Sequence, residues 1–460
     1  MFSFCFSLAY SYLCTMIEKI LEKLNIGELN LMQQEAIDAI LRSKNDVVVL
    51  SPTGTGKTLA YLLPLAELID GKSDELQAVV LVPGRELALQ SATVLKDMGS
   101  GLRAMSLYGG RPTMDEHRQL REVKPQIVFA TPGRLNDHLD KGNLSAEGVR
   151  FLVIDEFDKC LEMGFQSEMS AVVGKLPRVE RRILLSATRA AEIPRFVSLG
   201  RTRQLEFLDV DEQVSSRVHI FIVRSRQKDK LQTLEQLLLQ LGEGSSIVFL
   251  NYRDSVERTD AFLRERGFYT SAFHGGLEQR QREDSLYKFS NGSANVMVST
   301  DLASRGLDIP DIDNIIHYHL PESEEGYIHR VGRTARWDKC GRAFFILGPG
   351  EELPDYVDAE VEEYAIDPLL FAPSCRPLPV PVPRMATVYI GKGKKDKISK
   401  GDIVGFLCKK GGLQSSEIGR IDVKDRYAYA AVSRKKLQQV LRQTQGEKIK
   451  GIKTLCEVVK

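Results

Sequence analysis

The chain has 460 residues and a mass of 51.6 kDa, enough for roughly two to four domains. Hydrophobic residues make up 43% and charged residues 27%, which excludes a wholly disordered, collagenous or coiled-coil protein. The net charge is +1, but residues 385–460 carry 18 Lys and Arg against 7 Asp and Glu, a net charge of +11. A basic tail behind an acidic body indicates a polyanionic ligand for the tail.

The seven cysteines are scattered and form no C-x-x-C pair, which argues against disulfides and structural zinc and favours a reducing cytosol. Residues 1–15 lack the basic start of a signal peptide and are too short and polar for a spanning helix. We therefore expect an upstream start or a dispensable extension there. A signal-like or membrane-associated segment is the less favoured alternative.

Short apolar runs of strand length alternate with longer helical patterns along most of the chain. The first series comprises residues 47–50, 78–83, 126–132, 151–156 and 183–188, and the second comprises 219–223, 246–251, 295–301, 314–319 and 343–347. Continuous apolar runs are typical of strands buried on both faces of a parallel sheet. The pattern predicts an α/β fold with two tandem parallel-sheet domains, residues 16–208 and 209–348.

The chain changes character after the second series. Residues 351–367 carry eight acids and no base, and eight prolines fall between 349 and 383. We interpret residues 349–384 as a solvated acidic, proline-rich linker and not as a core element. Strand patterns then resume around one amphipathic stretch, which predicts a small α+β domain over residues 385–460.

The run SPTGTGKT follows the first apolar strand and precedes a helical pattern. Glycines let backbone N–H groups wrap a phosphate at a helix N-terminus, while Lys57 reaches the terminal phosphates and the Thr58 hydroxyl ligates Mg²⁺. A chance glycine-rich turn is the alternative, and the flanking strand and helix disfavour it. The loop residues predicted to bind nucleotide are Ser51, Thr53, Gly54, Thr55, Gly56, Lys57 and Thr58.

The run VIDEFD places two carboxylates at the end of another buried strand. Asp155 is suited to hold Mg²⁺ through water, and Glu156 to polarise the attacking water in phosphoryl transfer. Alone, such a strand end is more often a solvated turn. Together with the phosphate loop it predicts an NTP site.

These two runs belong to a longer ordered set that resembles the motifs of DEAD-box RNA helicases over about residues 21–347. The set consists of SPTGTGKT, PGRELA, the pair Gly109 and Gly110, TPGR, DEFD, SAT, VFLN, STDLASRGLDI and HRVGRTAR. The resemblance implies two RecA-like domains and ATP as the nucleotide. It further implies that Gln33 reads the adenine edge, that Asp308 contacts the ribose, and that Arg333 and Arg336 reach the γ-phosphate from the second domain.

The same resemblance implies that Asp158, Ser186, Thr188 and His329 couple the nucleotide site to RNA. The residues it places along the RNA backbone are Arg85, Gly109, Gly110, Thr131, Arg134, Gly275 and Thr300. Taken singly, each glycine is equally a turn glycine and Arg134 equally a solvated helix-start residue. As an ordered set, the functional interpretation is favoured.

Four residues depart from the family pattern: Phe157 replaces the usual alanine, Gly84 a threonine, His319 an aspartate, and Trp337 a small residue. None removes a group required for hydrolysis, although Phe157 requires altered packing. The aromatic residue that stacks on adenine is not identified.

The tail resembles the C-terminal RNA-binding domain of DbpA-type bacterial helicases, an RRM-like fold. In such a fold exposed aromatics stack on bases, and Tyr389 and Tyr429, with Tyr427, are the candidates. Ordinary half-buried strand residues are the equal alternative. The lysines favoured as RNA contacts are Lys392, Lys394, Lys395, Lys397, Lys448 and Lys450.

The resulting hypothesis is an ATP- and Mg²⁺-dependent RNA helicase that locally unwinds short duplexes in a bacterial cytoplasm. By the resemblance, its tail grips structured large-subunit ribosomal RNA in pre-ribosomal particles during ribosome biogenesis. We expect neither DNA nor a membrane as a partner. An ATPase-deficient RNA clamp or annealing protein is the alternative that Phe157 and Gly84 keep open. A DNA-directed motor is a further alternative, disfavoured by Gln33, the SAT run and the tail.

Overall fold

The structure is a computed structural model. It describes residues 17–24, 26–52, 54–110, 113–189, 193–208, 218–303, 312–334, 340–357, 360–367 and 378–459. The chain divides into two compact units, residues 1–213 with 306–308, and residues 214–305 with 309–460. Within the described ranges, no helix has the length and apolarity needed to cross a membrane.

The first unit is built on a seven-stranded parallel sheet in the order β3-β4-β2-β5-β6-β1-β7. The strands are β1 (Asp46–Leu50), β2 (Ala78–Leu81), β3 (Ala104–Leu107), β4 (Ile127–Ala130), β5 (Phe151–Ile154), β6 (Arg181–Ser186) and β7 (Thr202–Glu206). The helices are α1 (Leu31–Arg42), α2 (Lys57–Leu68), α3 (Arg85–Met98), α4 (Thr113–Val123), α5 (Pro132–Asp140), α6 (Phe157–Glu162) and α7 (Gln166–Gly174).

Strand β1 shows why the apolar runs are continuous. Val47 and Val49 pack into the apolar layer on one face of the sheet, whereas Val48 and Leu50 pack into the layer on the other. Because both faces are covered by helices, both sets of side chains must be apolar. The predicted parallel α/β fold is confirmed for this domain.

The second unit contains another parallel sheet, in the order β10-β11-β9-β12-β13-β8-β14. Its strands are β8 (Val218–Arg224), β9 (Ser246–Phe249), β10 (Thr270–Phe273), β11 (Val296–Ser299), β12 (Asn314–His317), β13 (Gly341–Leu347) and β14 (Val361–Glu363). Its helices are α8 (Leu231–Leu241), α9 (Arg253–Glu265), α10 (Gln279–Ser290) and α11 (Glu324–Val331). The second predicted parallel-sheet domain is therefore also present.

Strand β14 lies inside the segment expected to be a solvated linker. It pairs with β8 at the edge of the sheet, and the Tyr364 ring then packs edge-on against Phe221 and Phe344. The acidic composition hid this strand because an edge strand tolerates charged side chains. At least this part of the segment is thus a packed element of the second domain.

The tail forms a four-stranded antiparallel sheet in the order β16-β17-β15-β20, with a separate two-stranded hairpin. The strands are β15 (Met385–Ile390), β16 (Ile418–Val423), β17 (Ala428–Ser433), β18 (Lys448–Ile449), β19 (Ile452–Lys453) and β20 (Cys456–Val458), and the helices are α12 (Lys400–Lys409) and α13 (Leu437–Thr444). Val388, Ala430 and Val432 on one face of the sheet pack with Ile403 and Phe406 of α12. The predicted small α+β domain is confirmed.

Candidate nucleotide and RNA site

The phosphate loop runs from the end of β1 to the start of α2. Gly54 and Gly56 have φ of +88° and +82°, values that favour glycine because they lie in the left-handed region. The Lys57 ammonium lies within the loop and donates to the carbonyl oxygens of Ser51 (2.6 Å) and Pro52 (2.8 Å). Backbone N–H groups at the start of α2 and this buried cation create a site for a phosphate anion.

Helix α1 contacts the loop from the side. Its first turn is held by a capping box between Asn30 and Gln33. The Asn30 Nδ2 then donates to the Thr55 carbonyl (2.8 Å), and the Gln33 Nε2 to the Gly56 carbonyl (3.2 Å). Gln33, predicted to read the base, is thus bonded directly to the phosphate loop.

The two predicted catalytic carboxylates follow β5. Burial raises the pKa of Asp155, and the positive charge of Lys57 opposes that rise. Glu156 has φ of +50° and is buried at the start of α6, with its backbone N–H donating to Asp155 Oδ1 (3.0 Å). A non-glycine residue in the left-handed region is uncommon, and such strain clusters at functional sites.

Asp158 joins this turn to the SAT run after β6. Its Oδ2 accepts hydrogen bonds from the Ala187 N–H (3.2 Å), the Thr188 N–H (3.2 Å) and the Thr188 hydroxyl (3.1 Å). Ser186 Oγ donates to the Thr188 carbonyl (2.7 Å), which closes the SAT turn. Strand β6 lies between β5 and β1, so the sheet order brings the three motifs together.

Phe157 and Gly84 leave this geometry intact. The Phe157 side chain is buried in the apolar layer that also contains Leu184 and Val197. Gly84 is the extended residue preceding α3, with φ of −143°, and requires no special conformation. The larger Phe157 is therefore accommodated by core packing.

The carboxyl ends of the strands form one edge of the first sheet, and the nucleotide residues described above lie on one half of it. The other half, after β2, β3 and β4, carries the residues predicted to contact RNA. Arg85 follows β2, the two glycines follow β3, and Thr131 with Arg134 follows β4. A Cβ at Gly110 would lie 3.4 Å from Arg85 Nη1, so these segments are neighbours. The residues predicted to bind nucleotide and those predicted to contact RNA thus lie on two halves of one edge, called below the nucleotide half and the RNA half. This agrees with the tendency of ligands to bind at the carboxyl ends of parallel strands.

In the second unit, Arg330 lies at the centre of a hydrogen-bond network that was not predicted from the sequence. Its buried guanidinium pairs with Asp301 (2.5 Å and 3.2 Å) and donates to the Asn251 side chain (2.9 Å) and the His319 carbonyl (2.8 Å). The His319 ring accepts from the Asn251 N–H (3.1 Å). The signal was present, because Arg330 belongs to HRVGRTAR, while VFLN and STDLASRGLDI supply its partners Asn251 and Asp301.

His329 is buried near the end of α11, and Arg333 is buried two residues beyond that end. Thr300 and Gly275 follow the adjacent strands β11 and β10, where the Arg282 guanidinium donates to the Gly275 carbonyl (2.5 Å). The predicted residues that lie outside the described ranges are Thr53, Asp308 and Arg336, together with Trp337 and residues 1–15.

The tyrosine face of the tail sheet is covered by α10 of the second domain. The Tyr429 side chain is completely buried, its ring stacks on Tyr287 at 4.9 Å, and its hydroxyl donates to Asp284. The Tyr427 hydroxyl donates to Glu283, and Arg280 lies over the Tyr389 ring. In this arrangement the face is a protein contact, which differs from the expectation that Tyr389 and Tyr429 stack on bases.

Five of the six candidate lysines lie on the 394–397 turn and on the hairpin of β18 and β19, and Lys392 follows β15. Lys394, Lys395, Lys448 and Lys450 are exposed, whereas Lys392 is half-buried beside Asp396 (3.3 Å). The Lys450 ammonium donates to the Lys397 carbonyl (2.9 Å) and pairs with Asp402 (2.7 Å), which lowers the pKa of that carboxyl to about 2. The hairpin and the 394–397 turn therefore form one basic edge.

Comparison with family models divides the chain in the same way. Residues 30–196 match the DEAD/DEAH box helicase family, residues 229–338 the helicase conserved C-terminal domain, and residues 387–458 the DbpA RNA binding domain.

The fold is similar to that of solved helicases. Yeast (S. cerevisiae) Dbp5 bound to RNA and ADP BeF3 matches 77% of this chain and 94% of its own with a TM-score of 0.69 at 23% identity. Mss116p bound to ssRNA and AMP-PNP matches 76% of this chain and 77% of its own with a TM-score of 0.68 at 26% identity.

Curated relatives match almost the whole chain. The ATP-dependent RNA helicase DbpA of Escherichia coli K12 is 34% identical over 436 residues, which cover 93% of this chain and 94% of the relative. The protein of the same name from Bacillus subtilis is 30% identical, with 95% of each chain covered. Motifs, fold and relatives agree, and the chain belongs to the DEAD-box ATP-dependent RNA helicases of the DbpA type.

Proposed function

We propose that this helicase separates short RNA duplexes locally and that its tail directs it to structured large-subunit ribosomal RNA in pre-ribosomal particles, during ribosome biogenesis in a bacterial cytoplasm. The observation that carries the proposal is that the residues predicted to bind nucleotide and those predicted to bind RNA lie along the same edge of the first sheet. The Asp158 bonds to Thr188 link the catalytic turn to the neighbouring strand end.

Hydrolysis would use the groups around the phosphate loop. Lys57 places positive charge against the terminal phosphates, and Glu156 orients and deprotonates the attacking water. The Thr58 hydroxyl and the Asp155 carboxylate are hard oxygen donors of the kind that suits Mg²⁺, which would neutralise charge on the phosphates. Arg333 and Arg336 would complete the charge stabilisation from the second domain, so that hydrolysis depends on closure of the two domains.

RNA would lie along the other half of the edge, at Arg85, Gly109, Gly110, Thr131 and Arg134, and continue at Gly275 and Thr300 of the second domain. Contacts to backbone phosphates carry no sequence information, so these residues would accept any single strand. Closure of the two domains would bend the bound strand, and a short duplex would then lose its base pairing. Phosphate release would then reset the cycle.

The tail would supply the target preference. Its basic edge, from Lys394 and Lys395 to Lys448 and Lys450, is exposed and suited to an RNA backbone. Because the tail is attached to the core, binding there raises the local concentration of neighbouring duplexes. The match of residues 387–458 to the DbpA RNA binding domain supports RNA binding by the tail.

The test is steady-state ATP hydrolysis at one salt concentration, without nucleic acid and with generic single-stranded RNA, DNA or large-subunit ribosomal RNA. We expect strong stimulation by ribosomal RNA, weak stimulation by generic RNA and none by DNA. RNA binding without hydrolysis under every condition would indicate an ATPase-deficient clamp instead. Equal stimulation by every RNA would contradict the targeting role of the tail.

A further inference from the structure

A buried carboxylate links two segments of the RNA half. Glu116, on α4, is 1% exposed, and its Oε2 accepts from Arg134 Nε at 2.7 Å and from His138 Nε2 at 2.9 Å. His138 is completely buried on α5, one turn beyond Arg134. The three side chains form a triad at the sheet edge that nothing in the hydrolysis scheme uses.

The hydrogen bonds define the state of the imidazole. The Asn143 Nδ2 amide, which can only donate, contacts His138 Nδ1 at 3.2 Å. Nδ1 therefore accepts, and the ring proton lies on Nε2, where it donates to Glu116. A neutral His138 satisfies both contacts, so Arg134 and Glu116 form the ion pair of the triad.

The triad joins the two RNA-path segments that precede its helices. Helix α4 begins shortly after Gly109 and Gly110, and α5 begins directly after Thr131. The strands before these segments, β3 and β4, are neighbours in the sheet. Glu116 thus ties the helix that follows the glycine pair to the helix that carries Arg134.

We propose that Glu116 and His138 are positioning residues that hold the Arg134 guanidinium in the orientation needed to bind an RNA backbone phosphate. The inference rests on the proposed RNA path and adds two residues to it. Glu116 engages the Nε edge of a rigid planar fork, which fixes the direction of both Nη groups. His138 fixes the carboxylate in turn.

The burial of Glu116 strengthens its ion pair with Arg134 and so helps to position the guanidinium. A long arginine side chain loses rotamer freedom when it binds a phosphate, and a pre-formed ion pair removes that cost before RNA arrives. The Asp137 carboxylate lies farther from the guanidinium, 3.7 Å from Nη1, and pairs with Lys141 at 2.5 Å. The buried Glu116 therefore has the shorter and less solvent-screened contact.

The experiment measures ATP hydrolysis against RNA concentration for the full-length protein. Arg134→Ala tests the phosphate contact itself, and Glu116→Ala tests the positioning. We expect each to raise the RNA concentration for half-maximal stimulation roughly tenfold, the loss of one charge-assisted hydrogen bond, with little change in the maximal rate. Glu116→Ala should add nothing in an Arg134→Ala background, because the two act as one unit.

The matched control is Asp46→Asn. Asp46 is an equally buried carboxylate in the same domain, but it lies at the start of β1 and accepts from the N–H groups of Arg182 and Gly200. We expect it to lower stability without changing the RNA concentration for half-maximal stimulation. His138→Leu should weaken RNA stimulation, and His138→Gln, whose amide can donate to Glu116, should restore it.

The outcomes separate the inference from the proposed function. No effect of Glu116→Ala alongside a clear effect of Arg134→Ala, or additive effects of the two, would overturn positioning and leave the RNA path standing. No effect of Arg134→Ala would remove Arg134 from the RNA path and the positioning role with it. If Glu116→Ala does not fold, the His138 pair decides: equal RNA dependence of His138→Leu, His138→Gln and the parent protein overturns the proposal.

Discussion

The phosphate loop and the tyrosine face of the tail are held by contacts of very different reach along the chain. In the loop, Lys57 bonds to Ser51, six residues away, and Gln33 to Gly56, 23 residues away. On the tail sheet, Tyr429 bonds to Asp284 across 145 residues. The contacts of a local motif come from residues nearby in the sequence, so the motif predicts them. The exposure of a sheet face instead depends on which distant segment packs against it.

The largest expected effect is on ATP hydrolysis, from a substitution beside the phosphate loop. Glu156→Gln should lower RNA-stimulated ATP hydrolysis by roughly 100-fold or more, because the amide cannot accept the proton of the attacking water. Binding of ATP and RNA should persist, so the variant should accumulate as a ternary complex. The measurements are steady-state hydrolysis and RNA binding in the presence of ATP.

Glu162→Gln is the control, since Glu162 is exposed at the end of the same helix and pairs with Lys159 at 3.0 Å. Unchanged hydrolysis in Glu156→Gln would remove Glu156 as the base.

Removal of the tail tests the tail's part in this comparison. Deletion of residues 385–460 should abolish the preference for ribosomal RNA over generic RNA, which we expect to be on the order of tenfold or more in the full-length protein. Weak stimulation by any RNA should remain. Competition between ribosomal and generic RNA in the ATPase assay measures the preference directly. The same preference before and after deletion would refute the targeting role.

Single tail substitutions distinguish the role of the tyrosine face from that of the basic edge. Tyr429→Ala should lower the free energy of unfolding by about 3 kcal/mol, because it empties a buried aromatic site between tail and α10. Urea unfolding measures this, with Tyr252→Ala as the control, since Tyr252 is 62% exposed in the same unit.

Lys394→Ala with Lys395→Ala should instead weaken RNA binding and spare stability. A Tyr429→Ala protein that kept its stability and lost RNA binding would reverse these assignments.

The smallest expected effect is a pH dependence of stability that arises on α10, the helix that covers the tyrosine face. Burial lowers the pKa of Lys288, on α10, to about 8, with Arg264 adding repulsion. The unfolded chain therefore binds more protons than the folded chain between about pH 8 and 10, and the free energy of unfolding should rise with pH there, by roughly 1–3 kcal/mol. Lys288→Met should flatten that rise, and an identical slope in the variant would contradict it.

The sequence was sufficient where the physics is local. Continuous apolar runs predicted both parallel sheets, and SPTGTGKT predicted a loop whose glycines do have positive φ. It was insufficient for β14, because an acidic edge strand resembles a solvated linker. It also missed Arg330, because its partners Asn251, Asp301 and His319 come from three separate segments that only the fold brings together.

The hydrogen bond between Gln33 and the carbonyl of Gly56 has a consequence for nucleotide choice. Phosphate loops grip the end of a nucleotide that every NTP shares, and such a grip alone cannot tell bases apart. Gln33, which we propose to face the base, is bonded to the loop that we propose to hold the phosphates. A Cβ on Gly56 would lie only 2.3 Å from Gln33 Nε2. If Gln33 turned toward a mismatched base, its hydrogen bond to Gly56 would break and the phosphate loop would loosen. A mismatched base would therefore lower the turnover rate as well as the affinity.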